Sequence, residues 1–236
     1  HINKYVEAFV NNITFTDKIS THDFEISKEE LNYLFKDRYS KFNLYDRIDA
    51  ICEKLCYLYY KGKKTAKSKI WALLKWTMNV DIDYKKIYMD FYTSEYVINN
   101  YNGKILPEDI NYLKDNKMIK YEDACLFVYI KGLLEGFGYK GNIKEVVIDE
   151  AQDYSFLQYK IIKQIFKSAS FTILGDVNQT INPYYMYESL NKLSEIFEDT
   201  KYLELTKTYR SSPEIIEYTN KILNLNHVSA IRDKSN

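Results

Sequence analysis

The sequence predicts an α/β protein in which an all-helical first half leads into a parallel α/β layer. Three observations predict it. Leu44, Ile48, Ile51, Leu55 and Leu58 recur at the spacing of one helix face. From residue 144 onward, apolar runs of strand length alternate with helical patterns through short links, as in a parallel sheet with helical crossovers. Between the two textures, Gly136, Gly138 and Gly141 punctuate the chain.

Taken in order, residues 1 to about 25 read as irregular, with Asn11-Asn12 and a weak strand-like Ile13-Thr14-Phe15. Ser27 followed by Glu30 has the form of a capping box and starts a short helix through about Phe35. A long amphipathic helix is expected over 43–60, and further helices over 66–79, 83–100, 107–116 and 121–135, that over 107–116 opened by Pro107. The second half reads as strand 144–149, helix 155–167, strand 170–175, helix 186–197, strand 201–206 and helix 213–224. Val146, Val147 and Ile148 form a continuous apolar run, as in a strand buried on both faces.

The 236 residues suffice for one large domain or two modest ones. With 33 basic and 33 acidic residues the formal charge is zero, so nucleic-acid contact has to come from a local patch. The 24 tyrosines and 7 glycines read as the compositional bias of an A/T-rich genome, although tyrosines also serve as stacking platforms. Cys52, Cys56 and Cys125 are too few and too unevenly spread for a disulfide framework, which points to free thiols in a reducing cytoplasm. No apolar run approaches the ~18 residues of a membrane span, and no secretory signal is seen, so neither a membrane nor a structural metal is expected. A first residue of histidine rather than methionine predicts a piece of a longer protein or an artificially trimmed chain.

Between Glu53 and Asp81 lie seven lysines and no acid: Lys54, Lys61, Lys63, Lys64, Lys67, Lys69 and Lys75. Tyr57, Tyr59, Tyr60, Trp71 and Trp76 interleave them, a combination that can grip a phosphate backbone while bases stack alongside. The plainer alternative is a solvated lysine loop between two helices whose aromatics face the core. Gly62-Lys63-Lys64-Thr65 looks like the tail of a phosphate-binding loop. It fails as one because Lys64 stands where Ser/Thr is required, Tyr57 stands in place of the first glycine, and the stretch follows a helix rather than a strand.

The chemistry is expected at three strand ends. The first carries Asp149, Glu150, Gln152 and Asp153, the second Asp176 and Gln179, and beyond the third comes Thr208-Tyr209-Arg210-Ser211-Ser212-Pro213. In an open parallel sheet the ligand site lies at the carboxyl ends of the strands. Phosphoryl transfer needs carboxylates for a metal and a water, a polar group at the terminal phosphate and an arginine on the developing charge. Each cluster alone has a plainer explanation, such as acids at a helix start, a Gly-Asp turn or a surface salt bridge. The three in this order are specific.

Val147-Ile-Asp-Glu-Ala-Gln-Asp153, Leu174-Gly-Asp-Val-Asn-Gln179 and Leu205-Thr-Lys-Thr-Tyr-Arg-Ser-Ser-Pro213 together resemble motifs II, III and IV of the UvrD/Rep-type superfamily 1 helicases. Lys120-Tyr-Glu-Asp-Ala124 and the helical segment before it look more like the HelD branch, whose members act on bacterial RNA polymerase. The resemblance implies a partial RecA-like, P-loop NTPase sheet. Its division would be a helical inserted domain over 1–118, part of the first motor domain over 119–204 and the start of the second over 205–236. It implies Mg²⁺ on Asp149, water activation by Glu150, γ-phosphate sensing by Gln179, adenine stacking by Tyr209 and a γ-phosphate contact from Arg210. Gln152, Asp153 and Asp176 would couple these parts, ATP would be the cofactor, and the partner would be single-stranded or duplex DNA, or RNA polymerase. Lys61, Lys63, Lys64, Lys67 and Lys69 are the candidate nucleic-acid contacts. No Gly-x-x-x-x-Gly-Lys-[Ser/Thr] loop is present, so the chain by itself is expected to hydrolyse no ATP. The alternative is a non-catalytic module that binds polymerase or nucleic acid, and a RecB-type helicase–nuclease is a further enzymatic rival.

Overall fold

The computed structural model describes residues 1–99, 121–139, 141–180, 189–225 and 228–231, and the chain divides into two compact units, His1–Gly141 and Asn142–Asn236. The expected helix 107–116, the 118/119 boundary and Lys120 lie outside the described residues.

The first unit is helical, with one small hairpin. Helix α1, Ile2–Asn11, occupies the stretch read as irregular; its buried Val6 and Val10 lie one turn apart and join the core of the unit. Strands β1, Ile19–Ser20, and β2, Glu25–Ile26, pair antiparallel, with Ile19 opposite Ile26. Helix α2, Lys28–Tyr33, starts where Ser27 Oγ accepts the Glu30 N–H, and continues as a π-helical turn over Leu34–Arg38. The Glu30 carboxylate meets Lys54 at 3.4 Å.

Helix α3, Leu44–Tyr60, follows the periodicity read from the sequence. Asn43 caps it by accepting the Asp46 N–H, and Leu44, Ile48, Ile51 and Leu55 are all buried. It ends at Lys61 and Gly62, both at positive φ (49° and 75°), a reversal that glycine makes without steric cost. Helix α4, Lys64–Thr77, then packs against α3. The single helix expected over 83–100 is broken at Thr93-Ser94 into α5, Tyr84–Tyr92, and α6, Glu95–Ile98.

Helix α7, Tyr121–Glu135, packs on α1, α3 and α5. Tyrosines read as compositional bias bond these helices together. Tyr84 OH donates to Glu135 and contacts Tyr45 OH at 2.6 Å, and Tyr92 OH donates to Asp123 at 2.8 Å. Burial, reinforced by the bond to Glu135, pushes the Tyr84 phenol far above its ordinary value. The cysteines are free thiols; burial beside Asp49 pushes Cys52 up to about 12.

In the second unit, β3, Glu145–Ile148, and β4, Ser170–Ile173, pair parallel in register from Glu145–Ser170 to Ile148–Ile173. The crossover is helix α8, Phe156–Ile165, opened by a capping box between Ser155 and Gln158. Val146, Ile148, Phe171 and Ile173 pack with Tyr159, Leu193 and Phe197. The opposite face differs from expectation, for Val147 is 62% exposed and the strand alternates instead of being buried on both sides.

Of the expected helix 186–197, residues 186–188 lie outside the described region and Leu190–Glu195 forms a 3₁₀ helix. The stretch 201–206 forms no strand, and the strand forms one step later, at β5, Lys207–Thr208. It pairs parallel with β6, Ser229–Ala230, across helix α9, Pro213–Leu223.

Candidate functional site at the strand ends

Backbone pairing of β3 and β4 carries on past the last strand residues. Leu174 N–H donates to Ile148 O at 2.8 Å and Ala151 N–H to Leu174 O at 2.9 Å. This draws the two acidic turns against each other, and Gly175 is where they meet. A Cβ built there would stand 2.8 Å from Ala151 N and 2.7 Å from Gln152 Oε1, so a side chain would force the turns apart.

Glu150 adopts left-handed backbone angles, φ 50° and ψ 47°, which cost a non-glycine residue about 1–3 kcal/mol. Its surroundings hold it there. The 3₁₀ turn Ala151–Asp153 follows directly, Asp153 N–H donates to Glu150 O at 3.0 Å, and buried Tyr159 OH donates to Ala151 O at 2.6 Å. Asp149 Oδ1 accepts the Glu150 N–H at 2.9 Å. Both carboxylates are exposed.

A series of hydrogen bonds runs from this turn to the next. Gln152, only 2% exposed, donates from Nε2 to Glu150 Oε2 at 2.7 Å, and its Oε1 accepts the Asp176 N–H at 3.1 Å. Asp176 Oδ2 accepts from Gln179 Nε2 at 3.0 Å, while Oδ1 accepts from Asn178 N and Nδ2. Four of the residues named from the sequence, Glu150, Gln152, Asp176 and Gln179, thus sit in one connected group, and Asp149 joins through the backbone. Asp153 is exposed at the same turn.

Tyr209 and Arg210 follow β5 and are exposed; the Arg210 N–H donates to Thr208 Oγ1 at 3.3 Å. Sequence reasoning named Gln152 by type but missed its burial. It also read Gly175 as a possible turn residue, when the position is set by close approach of two chain segments.

In the helical unit the lysine cluster is less basic than its sequence. Lys67 Nζ lies 3.1 Å from both Asp49 and Glu53, and Trp71 Nε1 donates to Asp49. Lys61, Lys63 and Lys69 are exposed, Lys64 begins α4, and Trp76 on the same helix is 79% exposed.

Among the described residues no three His, Cys, Asp or Glu side chains gather into a metal cage. Magnesium needs none. It takes one or two carboxylates and completes its shell with phosphate oxygens and water, which suits an exposed aspartate at a strand end.

A parallel strand pair with acidic and amide side chains at its carboxyl ends defines an α/β protein whose polar site lies where such folds bind phosphorylated ligands. The family follows from comparison. Residues 4–189 match the UvrD/REP helicase N-terminal domain, and the chain belongs to this family. It is 36% identical over 105 residues to the ATP-dependent DNA helicase srs2 of Schizosaccharomyces pombe, covering 39% of this chain and 12% of that protein. It is 25% identical over 224 residues to the ATP-dependent DNA helicase Rep of Buchnera aphidicola subsp. Schizaphis graminum, covering 86% of the chain and 31% of the relative. With Rep of Escherichia coli it shares 32% over 88 residues, covering 36% and 13%. The chain thus spans less than a third of the length of these relatives.

Proposed function

We propose that the chain forms part of the motor of an ATP-dependent, UvrD-like superfamily 1 DNA helicase or translocase, which couples Mg-ATP hydrolysis to movement on nucleic acid. The observation that carries this reading is the bonded series from Glu150 through Gln152 and Asp176 to Gln179, which joins two strand ends into one site. Glu150 accepts the proton of the attacking water, and Gln179 senses the terminal phosphate at the other end of the series. Asp149 would hold Mg²⁺, which would supply charge neutralisation at the phosphates. Tyr209 offers an exposed ring for the adenine and Arg210 a guanidinium for the γ-phosphate. Gln152, Asp153 and Asp176 couple these parts.

Family membership and the three relatives above, each an ATP-dependent DNA helicase, support DNA as the partner and ATP as the cofactor. The domain reading is a helical insertion over 1–118, first-motor residues over 119–204 of the RecA-like kind, and the second motor from 205. The HelD-like branch, with RNA polymerase as partner, rests on Lys120–Ala124 and the helical unit. A cytoplasmic setting accords with the free thiols, and among the described residues no helix is long and apolar enough to cross a membrane.

The test is the ATPase rate of the full-length protein with and without single-stranded DNA, beside the 236-residue chain alone. Strong stimulation by DNA is expected, with no turnover by the chain alone, which lacks a phosphate-binding loop. A rate indifferent to DNA but altered by RNA polymerase would replace the helicase with a HelD-like remodeller. An active isolated chain would overturn the account of the missing loop.

The exposed lysines give a second expectation. Replacing Lys61, Lys63 and Lys69 with glutamate is expected to weaken single-strand affinity and to flatten its log–log salt dependence by about 2, at ~0.7 per phosphate contact. Lys67→Glu would report mainly on folding, since Lys67 is held by Asp49 and Glu53. An unchanged salt slope in the triple variant means the patch is a solvated surface.

A further inference from the structure

We infer that Trp76 is a base-stacking platform for single-stranded DNA on the helical unit, with Lys69, two turns before it on the same face of α4, holding a phosphate of the strand. This rests on the nucleic-acid reading of the lysines given above and goes beyond it. It distinguishes unpaired strand from duplex at this unit, and it names a residue that acts through a base rather than a phosphate.

The sequence interleaves five aromatics with the lysines, and the structure withdraws three of them. Trp71 donates from Nε1 to Asp49 at 3.2 Å, and its ring lies 5.4 Å from that of Tyr45 and 5.3 Å from Lys75 Nζ. Tyr59 stacks on Phe24 with ring centroids 4.8 Å apart, and Tyr60, set edge-on to the same ring, donates its hydroxyl to Asp23 at 2.8 Å. Tyr57 and Trp76 are left, 77% and 79% exposed, with no hydrogen bond or ring contact among the described residues.

Charge separates these two. Tyr57 on α3 has Glu53 one turn before it, so a phosphate drawn beside its ring meets a carboxylate. Helix α4 carries no acid between Lys64 and Thr77. Ala66, Ile70, Leu74 and Thr77 define its buried face, and Thr65, Lys69, Ala72 and Trp76 recur on the opposite one, all exposed. Lys69 and Trp76 are about 10 Å apart along the axis. Helical side chains lean over the turn before them, and the residue one turn before Trp76 is Ala72, too small to cover an indole. The end of the helix is tied down, for Thr16 N–H donates to Thr77 O at 2.8 Å and Asn79 N–H to Thr14 O at 2.9 Å. A ring on such a support offers its face at small cost in ordering. Asp23 lies near the Lys69 end, where the Tyr60 hydroxyl already engages it.

Bases paired in a duplex present only their edges to the grooves. An unpaired base can lie on the indole, and every base has such a face, so the platform takes single strands with little regard to sequence.

The test uses the 236-residue chain with three DNA probes: an oligothymidylate, an abasic strand of the same length and a blunt duplex. Trp76→Ala is expected to weaken binding to the oligothymidylate about 5–150-fold, the range for losing one stacked base. Its log–log salt slope should be unchanged, because no phosphate contact is removed. Wild type and Trp76→Ala should bind the abasic strand alike, and the duplex alike. Trp76→Phe keeps a ring and should recover most of the affinity. Indole emission should fall when the oligothymidylate is added to wild type and stay constant in Trp76→Phe, which retains Trp71, the other of the two tryptophans, as an internal control. An exposed position of this kind tolerates both substitutions without loss of the fold.

Equal binding of the oligothymidylate by wild type and Trp76→Ala would overturn the inference, and so would a loss matched on the abasic strand or the duplex. The two readings fail separately. If the triple lysine variant flattens the salt slope while Trp76→Ala binds as wild type does, the patch holds phosphates and Trp76 stacks on no base. If the wild-type chain binds no strand at all, the nucleic-acid reading of the helical unit falls and the platform falls with it.

Discussion

Glu150→Gln in the full-length protein is expected to cut ATP hydrolysis by about 10²–10⁴-fold, the contribution of a positioned general base, while nucleotide affinity stays near wild type. The substitution is isosteric, and its oxygen can still accept from Gln152 Nε2, so the left-handed turn and the Gln152 bridge are kept. What is lost is a group able to take a proton from water. The phosphate contacts proposed for Asp149, Gln179 and Arg210 do not involve this carboxylate, so binding and turnover should separate. Steady-state turnover and the Kd of a fluorescent ATP analogue measure the two effects. A rate within tenfold of wild type would remove Glu150 from the chemistry. A rate loss matched by an equal loss of affinity would make Glu150 a binding residue.

The parts legible in the sequence were those where one local pattern decides the outcome. Leu44, Ile48, Ile51 and Leu55 fix the buried face of α3 wherever that helix lies, and Val146–Ile148 followed by two acids marks a strand end. Helix α1 was missed because Asn11-Asn12 reads as a break, although Val6 and Val10 already have helical spacing. The break is real, but it ends a helix. Residues 201–206 carry a strand-like pattern but form no strand, whereas Lys207–Thr208 pairs with Ser229–Ala230 far along the chain. Strand formation depends on pairing, which local pattern does not contain.

The site divided in the same way. Residue types at Asp149, Glu150, Asp176 and Gln179 could be read because phosphoryl transfer needs those groups at strand ends. The burial of Gln152 and the squeeze at Gly175 could not be read, since both arise from the approach of two turns 24 residues apart in sequence. The lysine cluster misled for a related reason. Asp49 and Glu53 lie outside the acid-free stretch, yet α3 carries them to Lys67.

Arg47→Ala is expected to destabilise the helical unit by about 2–4 kcal/mol, through carbonyls left without a donor. Arg47 is 6% exposed, its Nε donates to Phe42 O at 2.9 Å, and its other nitrogens reach Ser40 O and Phe35 O. These carbonyls lie in and just after the π-helical turn Leu34–Arg38, so the guanidinium caps the C-terminal end of that segment, where a cation is favoured. Burial pulls the guanidinium below its ordinary value, opposed by the negative charge of Glu7; it remains charged at any pH the protein meets. The ring of Phe35 lies 5.3 Å from Arg47 Cζ and loses that partner too. Part of the cost is recovered by water, because Ser40 and Phe42 lie near the surface, which is why the estimate stays below three full hydrogen bonds to a charged group. Lysine cannot substitute, for a single ammonium does not reach three divergent carbonyls from one buried position. Thermal melts of the chain should show Arg47→Ala and Arg47→Lys both lowered by roughly 5–15 °C, at ~2–4 °C per kcal/mol for a chain of this size. Amide exchange should rise first over 34–47. A melt within about 2 °C of wild type, the shift of roughly 1 kcal/mol or less, would mean that the carbonyls find other donors and that the arginine is a passenger in the core.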